Sequence, residues 1–263
     1  HVDGWQTYSV NPGEYARDIL IEGNILTGYF GHGVMMEARR QNDSQRFSIQ
    51  DIRIVNNVCA GGTIGFMAKC VDGLRIYHNT IVDVLEGIRV QARDAAAAME
   101  GICNNLFVEV LGGAVDIWRV EGPDIQVSPF EDISGEFLRL GNRVFQSSLT
   151  VAAVHRREKT VSILRDASQI VGNDGLPFTE DDGYTVVAGS PCIDAGIDRG
   201  ASLPDRDILG TPRPLGKGYD TGAHEFVRQN AFEGRDGTAL RSSSAVQQCF
   251  VQHYRWPERT GLL

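Results

Sequence analysis

The sequence predicts an all-β chain wound as a parallel β-solenoid. Three features lead there: a recurring Ile-x-x-Asn segment, a glycine-opened alternating run that follows it at a fixed distance, and a composition rich in Gly and poor in aromatics. The first pattern recurs four times: Ile21 with Asn24 in DILIEGNIL, Ile54 with Asn57 in DIRIVNNVC, Ile76 with Asn79 in GLRIYHNTI, and Ile102 with Asn105 in GICNNLF. The second opens at Gly33 in HGVMMEA, Gly65 in IGFMAKC, Gly87 in EGIRVQA and Gly113 in GAVDIW. From each Ile to the glycine after it the steps are 12, 11, 11 and 11 residues. Two series that advance in lockstep are two sides of one repeating coil.

The intervals from one Ile to the next are 33, 22 and 26 residues, and the excess falls after the glycine runs, where QNDSQ near Asn42 and the alanines at 95–98 are inserted. A repeat of about 22 residues with one elastic corner is the signature of stacked coils. No coil buries its apolar side alone, so coils stack in parallel and like residues lie above like. An inward Asn repeated at one turn bonds its copies above and below, satisfying amides whose burial otherwise costs a few kcal/mol each. Asn24, Asn57, Asn79 and Asn105 are therefore read as scaffold. The rival architecture, a set of βαβ units, lacks a 3.6-residue apolar stripe of helical length. Only DAAAAME suggests a helical turn or two. Beyond about Val120 the period fades, although GEFLRLGNRVFQ, LTVAAVH and KTVSILR still read as strands.

Composition narrows the function classes. With 25 basic and 34 acidic residues the net charge is -9, which argues against a broad phosphate-binding surface, so no nucleic-acid partner is expected. The cysteines Cys59, Cys70, Cys103, Cys192 and Cys249 form no CxxC pair, and three of them read as small buried hydrophobes. No apolar run is long enough to span a bilayer, so no membrane insertion is expected. The chain opens at His1 with neither an initiator Met nor a signal peptide, and further N-terminal coils are expected to be missing from it.

Two stretches resemble known proteins. Ser190, Pro191, Ile193, Asp194 and Gly196, then Asp207, Gly210, Pro212, Arg213 and Pro214, then Asp220, Gly222, Ala223 and Glu225 resemble the closing segment of many secreted bacterial right-handed parallel β-helix proteins of the pectate-lyase-like superfamily. His1-Val2-Asp3-Gly4-Trp5-Gln6 resembles a strand that precedes the Ile-x-x-Asn coils in the same broad family. The resemblance covers roughly residues 1–226 and implies a right-handed single-stranded parallel β-helix, secreted or at the cell surface, that meets carbohydrate. The expected organisation is coils over 1–188, a closing segment over 189–226 that caps the last coil through charge-assisted bonds of Asp194, Arg213 and Asp220, and a tail over 227–263 that matches nothing in the family. A monomer is expected.

Chemistry is sought on the outward positions of the glycine series, since strand residues alternate faces. Trp5, Val34, Phe66, Ile88 and Ala114 are read as inward. The outward columns are then Asp3, His32, Ile64, Glu86; Gln6, Met35, Met67, Arg89; and Tyr8, Glu37, Lys69, Gln91. Adjacent coils lie about 4.8 Å apart, so residues of one column are neighbours. Such a face, with its exposed methionines, suits an acidic or neutral polysaccharide. Cleavage of a uronate polymer by β-elimination needs a group that neutralises the C6 carboxylate and a base that removes the C5 proton. His32, Lys69 and Arg89 are the catalytic candidates; Asp3, Gln6, Tyr8, Glu37 and Glu86 are the substrate-binding ones, with Ca²⁺ as the candidate cofactor. The first functional reading is a polysaccharide lyase acting on an anionic polysaccharide. The second is a non-catalytic carbohydrate-binding or cell-surface structural solenoid.

Gly31-His32-Gly33 invites comparison with the polygalacturonases, but that family's paired aspartates and Arg-Ile-Lys segment are absent. The acidic loop from Asn173 to Gly183 fails the spacing of a calcium loop and reads as a solvated turn.

Overall fold

The computed structural model describes residues 2–9, 11, 13–38, 48–91, 97–118, 120–121, 141–145, 165, 170–179 and 181–227. Among these residues the regular structure is all β apart from a short 3-10 turn at Gly200–Ser202, and the strands form three sheets with parallel pairing throughout. The first sheet stacks Asp3–Ser9, His32–Ala38, Ile64–Lys69, Glu86–Gln91 and Val115–Trp118. The second stacks Ala16–Glu22, Ile49–Val55, Leu74–Tyr77, Ala97–Cys103 and Val120–Glu121, with Val71–Asp72 also paired to Ile49–Val55. The third stacks Ile25–Thr27, Val58–Ala60, Thr80–Val82, Leu106–Val108 and Arg143–Phe145. Strands follow chain order in every sheet, so each pass through the three sheets is one coil of a parallel β-solenoid. No described helix is long and apolar enough to cross a membrane.

Alternation fills the interior. The first sheet turns Val34 and Met36, Phe66 and Ala68, Ile88 and Val90 inward; the second contributes Ile21, Ile52, Ile54, Leu74, Ile76 and Ile102. The third contributes Cys59, Ile81, Phe107 and Val144, and all of these side chains belong to one buried cluster. Burial is the source of stability here, because each coil exposes both flat sides until its neighbours cover them.

The asparagines form the predicted ladder at the corner between the second and third sheets. Asn57 Oδ1 accepts from the backbone N–H of Asn24 at 3.0 Å and from its Nδ2 at 2.9 Å, and the same pair of bonds links Asn57 to Asn79 and Asn79 to Asn105. Asn142 adds a fifth rung, accepting from Asn105 N at 2.9 Å. The residue before each rung is left-handed: Gly23, Asn56, His78, Asn104 and Gly141 have φ between 53° and 75°. Gly, Asn and His are among the residues that tolerate that region.

The glycine column stands with one correction. Gly33, Gly65 and Gly87 lie one above another, and a Cβ on Gly33 or Gly65 would come within 2.6 Å of the carbonyl oxygen of the next glycine. The fourth expected member, Gly113, is out of register: Ile88 pairs with Val115, so Ala114 occupies the glycine column and Val115 the inward one. The turn at 109–112 is one residue longer than the one at 83–85, which shifts the strand by one residue. A second correction concerns DAAAAME, whose Ala97–Glu100 part belongs to a strand of the second sheet rather than a helical turn.

Residues 190–226 lie against the flank of the stack, whereas the sequence suggested a cap over its last coil. Four successive coils touch them. Asn56 Nδ2 donates to Arg206 O at 2.7 Å, Ala223 N to Thr80 Oγ1 at 2.9 Å, Gly222 N to Asn104 O at 2.8 Å, and Thr221 Oγ1 to Gly141 O at 2.8 Å. Cys192 and Ala223, with Ile170, Tyr184 and Val186 from just upstream, cover the outward side chains of the third sheet, Val58, Val82, Leu106 and Val108. The charged residues of the segment serve its own fold. Arg213 is fully buried and donates to Glu225 Oε2 at 3.1 Å and Gly222 O at 2.8 Å. Asp220 accepts from Asp194 N and Phe226 N, and Asp194 from Lys217 N and Gly218 N. Of the remaining expectations, the 228–263 tail, Cys249, QNDSQ, His1 and most of the strands expected after Val120 lie outside the described residues.

Candidate functional site

The outward face of the first sheet has the columns the sequence implies. Asp3, His32, Ile64 and Glu86 share one; Gln6, Met35, Met67 and Arg89 the next; Tyr8, Glu37, Lys69 and Gln91 the third. The register adds Asp116 beside Arg89, a residue hidden from sequence reasoning by the one-residue slip after Leu111.

Within these columns each catalytic candidate is tied to a carboxylate of its own. His32 Nδ1 lies 3.0 Å from Asp3 Oδ1, which also accepts the His32 backbone N–H at 3.0 Å. Lys69 Nζ donates to Glu37 Oε1 at 2.7 Å. Arg89 Nη2 donates to Glu86 Oε1 at 2.5 Å, while its Nε stands 3.6 Å from Asp116 Oδ2. The three candidates occupy three columns on three different coils, so they form three separate pairs rather than one constellation. Gln6 Nε2 links the first pair to its surroundings, donating to Asp3 Oδ2 at 2.7 Å, Tyr8 Oη at 2.5 Å and Met35 Sδ at 3.1 Å.

Burial differs from expectation. Met35 and Met67, read from the sequence as exposed, are buried together with Ile64. The Lys69 amino group is engaged within its own pair with Glu37. Two buried polar atoms of this face lack a hydrogen bond: Glu86 Oε2, which is ion-paired with Arg89 Nη2, and Arg89 Nε, whose nearest carboxylate oxygen is Asp116 Oδ2 at 3.6 Å. A guanidinium N–H left in that state costs free energy unless something supplies an oxygen.

An exposed apolar ridge borders these columns at the corner between the third and first sheets. Tyr29 is 80% exposed and Leu111 68%, with Val2 and Leu85 also exposed. The coils stack here through Gly31 N to Val2 O, Thr63 N to Phe30 O, Glu86 N to Thr63 O and Gly112 N to Leu85 O. The ridge escaped sequence reasoning because it falls between the two repeat series. Its signal is an apolar residue ahead of the first, third and fourth glycine runs (Tyr29, Leu85 and Leu111), whereas the second carries Gly62-Thr63 there.

Among the described residues no three His, Cys, Asp or Glu side chains come together as a metal cluster. In the loop at 173–183, Asp181 accepts from Asn173 N at 2.8 Å and Thr179 Oγ1 at 2.8 Å, so its carboxylate braces the turn. No family model, curated protein or solved structure matches the chain.

Proposed function

We propose that the protein is an exported bacterial right-handed β-helix of the pectate-lyase-like kind, and that the outward face of its first sheet binds a polysaccharide. The observation that carries this reading is the unserved Arg89 Nε set among pre-formed ion pairs beside the Tyr29, Leu85 and Leu111 ridge. A sugar ring has an apolar face and a rim of hydroxyls. The ridge suits the first, as amphipathic aromatic side chains commonly do, and the fixed polar pairs suit the second. Ion pairs held rigid by partial burial cost little further ordering when a ligand arrives.

Charge refines the choice of polymer. Asp3, Glu37, Glu86 and Asp116 supply four carboxylates against the two permanent cations of Lys69 and Arg89. A neutral polysaccharide meets no net repulsion there, whereas a uronate polymer needs a divalent cation such as Ca²⁺ between like charges. The lyase reading rests on a different observation, the Asp3–His32 contact. A carboxylate that orients an imidazole is the arrangement of a general base, and His32 rather than Lys69 is then the group that removes the C5 proton.

Incubation with a panel of neutral and uronate polymers, with Ca²⁺ or with chelator, tests the proposal. Retention of a neutral polymer regardless of Ca²⁺, and of a uronate only with it, is expected. Growth of ultraviolet absorbance from an unsaturated product adds the lyase step. A chain that retains none of the polymers and yields no product contradicts the proposal.

A further inference from the structure

The flank contact contains a device that neither the solenoid nor the sugar face requires. His78 sits at the corner of the third coil in the left-handed conformation, φ 53°, where the neighbouring coils place Asn56 and Asn104. Its ring is fully buried under the flank segment. Arg213 Nη1 lies 2.9 Å from His78 Nδ1, Asn104 Nδ2 lies 3.0 Å from Nε2, and the Tyr219 ring leans on it at 5.6 Å between centroids. A guanidinium with a permanent positive charge thus lies against one ring nitrogen and an amide against the other, while the Asp220 and Gly222 carbonyls accept from the ring.

We propose that residues 190–226 are an acid-released strap, and that protonation of His78 against Arg213 is the step that releases it. An imidazolium and a guanidinium at that separation, both out of water, repel with no counter-ion between them. The surrounding carboxylates are committed elsewhere. Asp207 accepts from Leu209, Thr211 and Glu225 N–H groups, Asp220 from Asp194 and Phe226, and Glu225 from Arg213, Leu215 and Asp220. Release uncovers the apolar outer side of the third sheet while leaving the asparagine ladder inside the stack intact.

The direction of the pH dependence follows from the buried groups. Burial and Arg213 hold His78 well below its ordinary 6.5, and burial holds His224 down at about 3. Each takes up a proton only on release, so each weakens the strap as pH falls below about 6.5. Glu225, pushed up by burial to about 7, acts in the opposite sense between about 7 and 4.5, and Asp207 and Asp220, also raised by burial, oppose release further into acid. Over the step from pH 6.5 to 5.5 the two histidines favour release and Glu225 opposes it, leaving a net uptake that averages roughly 0.6 proton, about fourfold in the release equilibrium.

Peptide-resolved hydrogen exchange on the full chain, corrected for intrinsic rates, reads this out. The N–H groups of Ile197, Gly222 and Ala223, which bond to the coils, report on the strap, and those of Asn57 and Asn79 report on the ladder. From pH 6.5 to 5.5 the strap is expected to lose about fourfold of its protection relative to the ladder. His78→Asn, a residue this corner already accepts in the coils on either side, is expected to flatten the dependence, and Glu225→Gln to steepen it. A flat wild-type profile overturns the proposal, as does an unchanged slope in His78→Asn, a shallower one in Glu225→Gln, or loss of strap and ladder protection together.

Discussion

Replacing Asn79 by alanine removes the middle rung of the ladder, and the structure allows its cost to be worked out. Asn79 is fully buried. Its Oδ1 accepts from Asn57 N and Nδ2, each at 3.0 Å, and its Nδ2 donates to Ile54 O, Tyr77 O and Asn105 Oδ1 at 2.9 to 3.0 Å. After truncation Asn57 Nδ2 keeps Ile21 O and Val55 O, and Asn105 Oδ1 keeps the Asn79 backbone N–H, so those two groups remain served. The Asn57 backbone N–H has no such substitute, and Ile54 O loses a donor. One orphaned buried donor costs about 1–3 kcal/mol and a lost net hydrogen bond roughly another 1 kcal/mol, giving about 2–4 kcal/mol in all. Asn24→Ala provides the internal control. That rung is only half-buried and donates to Asn57 Oδ1 and Glu22 O, and Asn57 N–H does not depend on it, so its loss is expected to cost about 1 kcal/mol. Urea unfolding of both variants at constant m-value measures the difference. Equal midpoints for Asn79→Ala and Asn24→Ala, or a shift under about 1 kcal/mol for the former, refute the reasoning that stacking rather than local turn geometry gives the ladder its value.

Two further outcomes follow from other parts of the fold. Gly65→Ala brings a methyl within 2.6 Å of Gly87 O and 3.1 Å of Ile81, where neither backbone nor core has slack, so thermal unfolding is expected to fall by several degrees, whereas Gly175→Ala, with open space around it but a left-handed φ of 69°, is expected to cost about 1 kcal/mol through strain alone. Arg213→Gln leaves Glu225 buried without its cation and is expected to cost about 3–5 kcal/mol in denaturant unfolding; a cost below about 1 kcal/mol contradicts the buried-pair account.

The repeat was legible because the physics of stacking forces it into the sequence. A buried Asn at one corner and a glycine where the next coil's carbonyl approaches leave marks at constant spacing, so the ladder and most of the outward columns could be read directly. The failures have equally specific causes. The last glycine was misassigned because Gly112 and Gly113 both stand near the expected position and only strand pairing distinguishes them from Ala114. Asn142 went unnoticed as a rung because Arg139 replaces the marker Ile, although Gly141-Asn142 repeats the Gly23-Asn24 pattern. Of the candidate site, membership in a face was readable and its internal economy was not. Alternation says which way a side chain points, but not that Lys69 reaches Glu37 across one coil, that Met35 and Met67 are covered, or that Asp116 flanks Arg89. The flank position of residues 190–226 was equally invisible, since a dense run of Pro, Gly and Asp specifies turns without specifying the surface they settle on.

The central claim, a polysaccharide held on the first-sheet face, is tested most directly by comparing glycan affinity in variants that leave the core alone. Tyr29→Ala and Leu111→Ser alter exposed ridge side chains, and Arg89→Met removes the unserved Nε–H while keeping much of the side-chain volume. With the polymer retained most strongly by the wild type, titration calorimetry is expected to show at least about a tenfold loss of affinity for Tyr29→Ala and for Arg89→Met, and no change for Leu176→Ser, an exposed residue in the loop at 173–183. Undiminished affinity in both Tyr29→Ala and Arg89→Met would contradict the account and place the carbohydrate contact elsewhere on the solenoid.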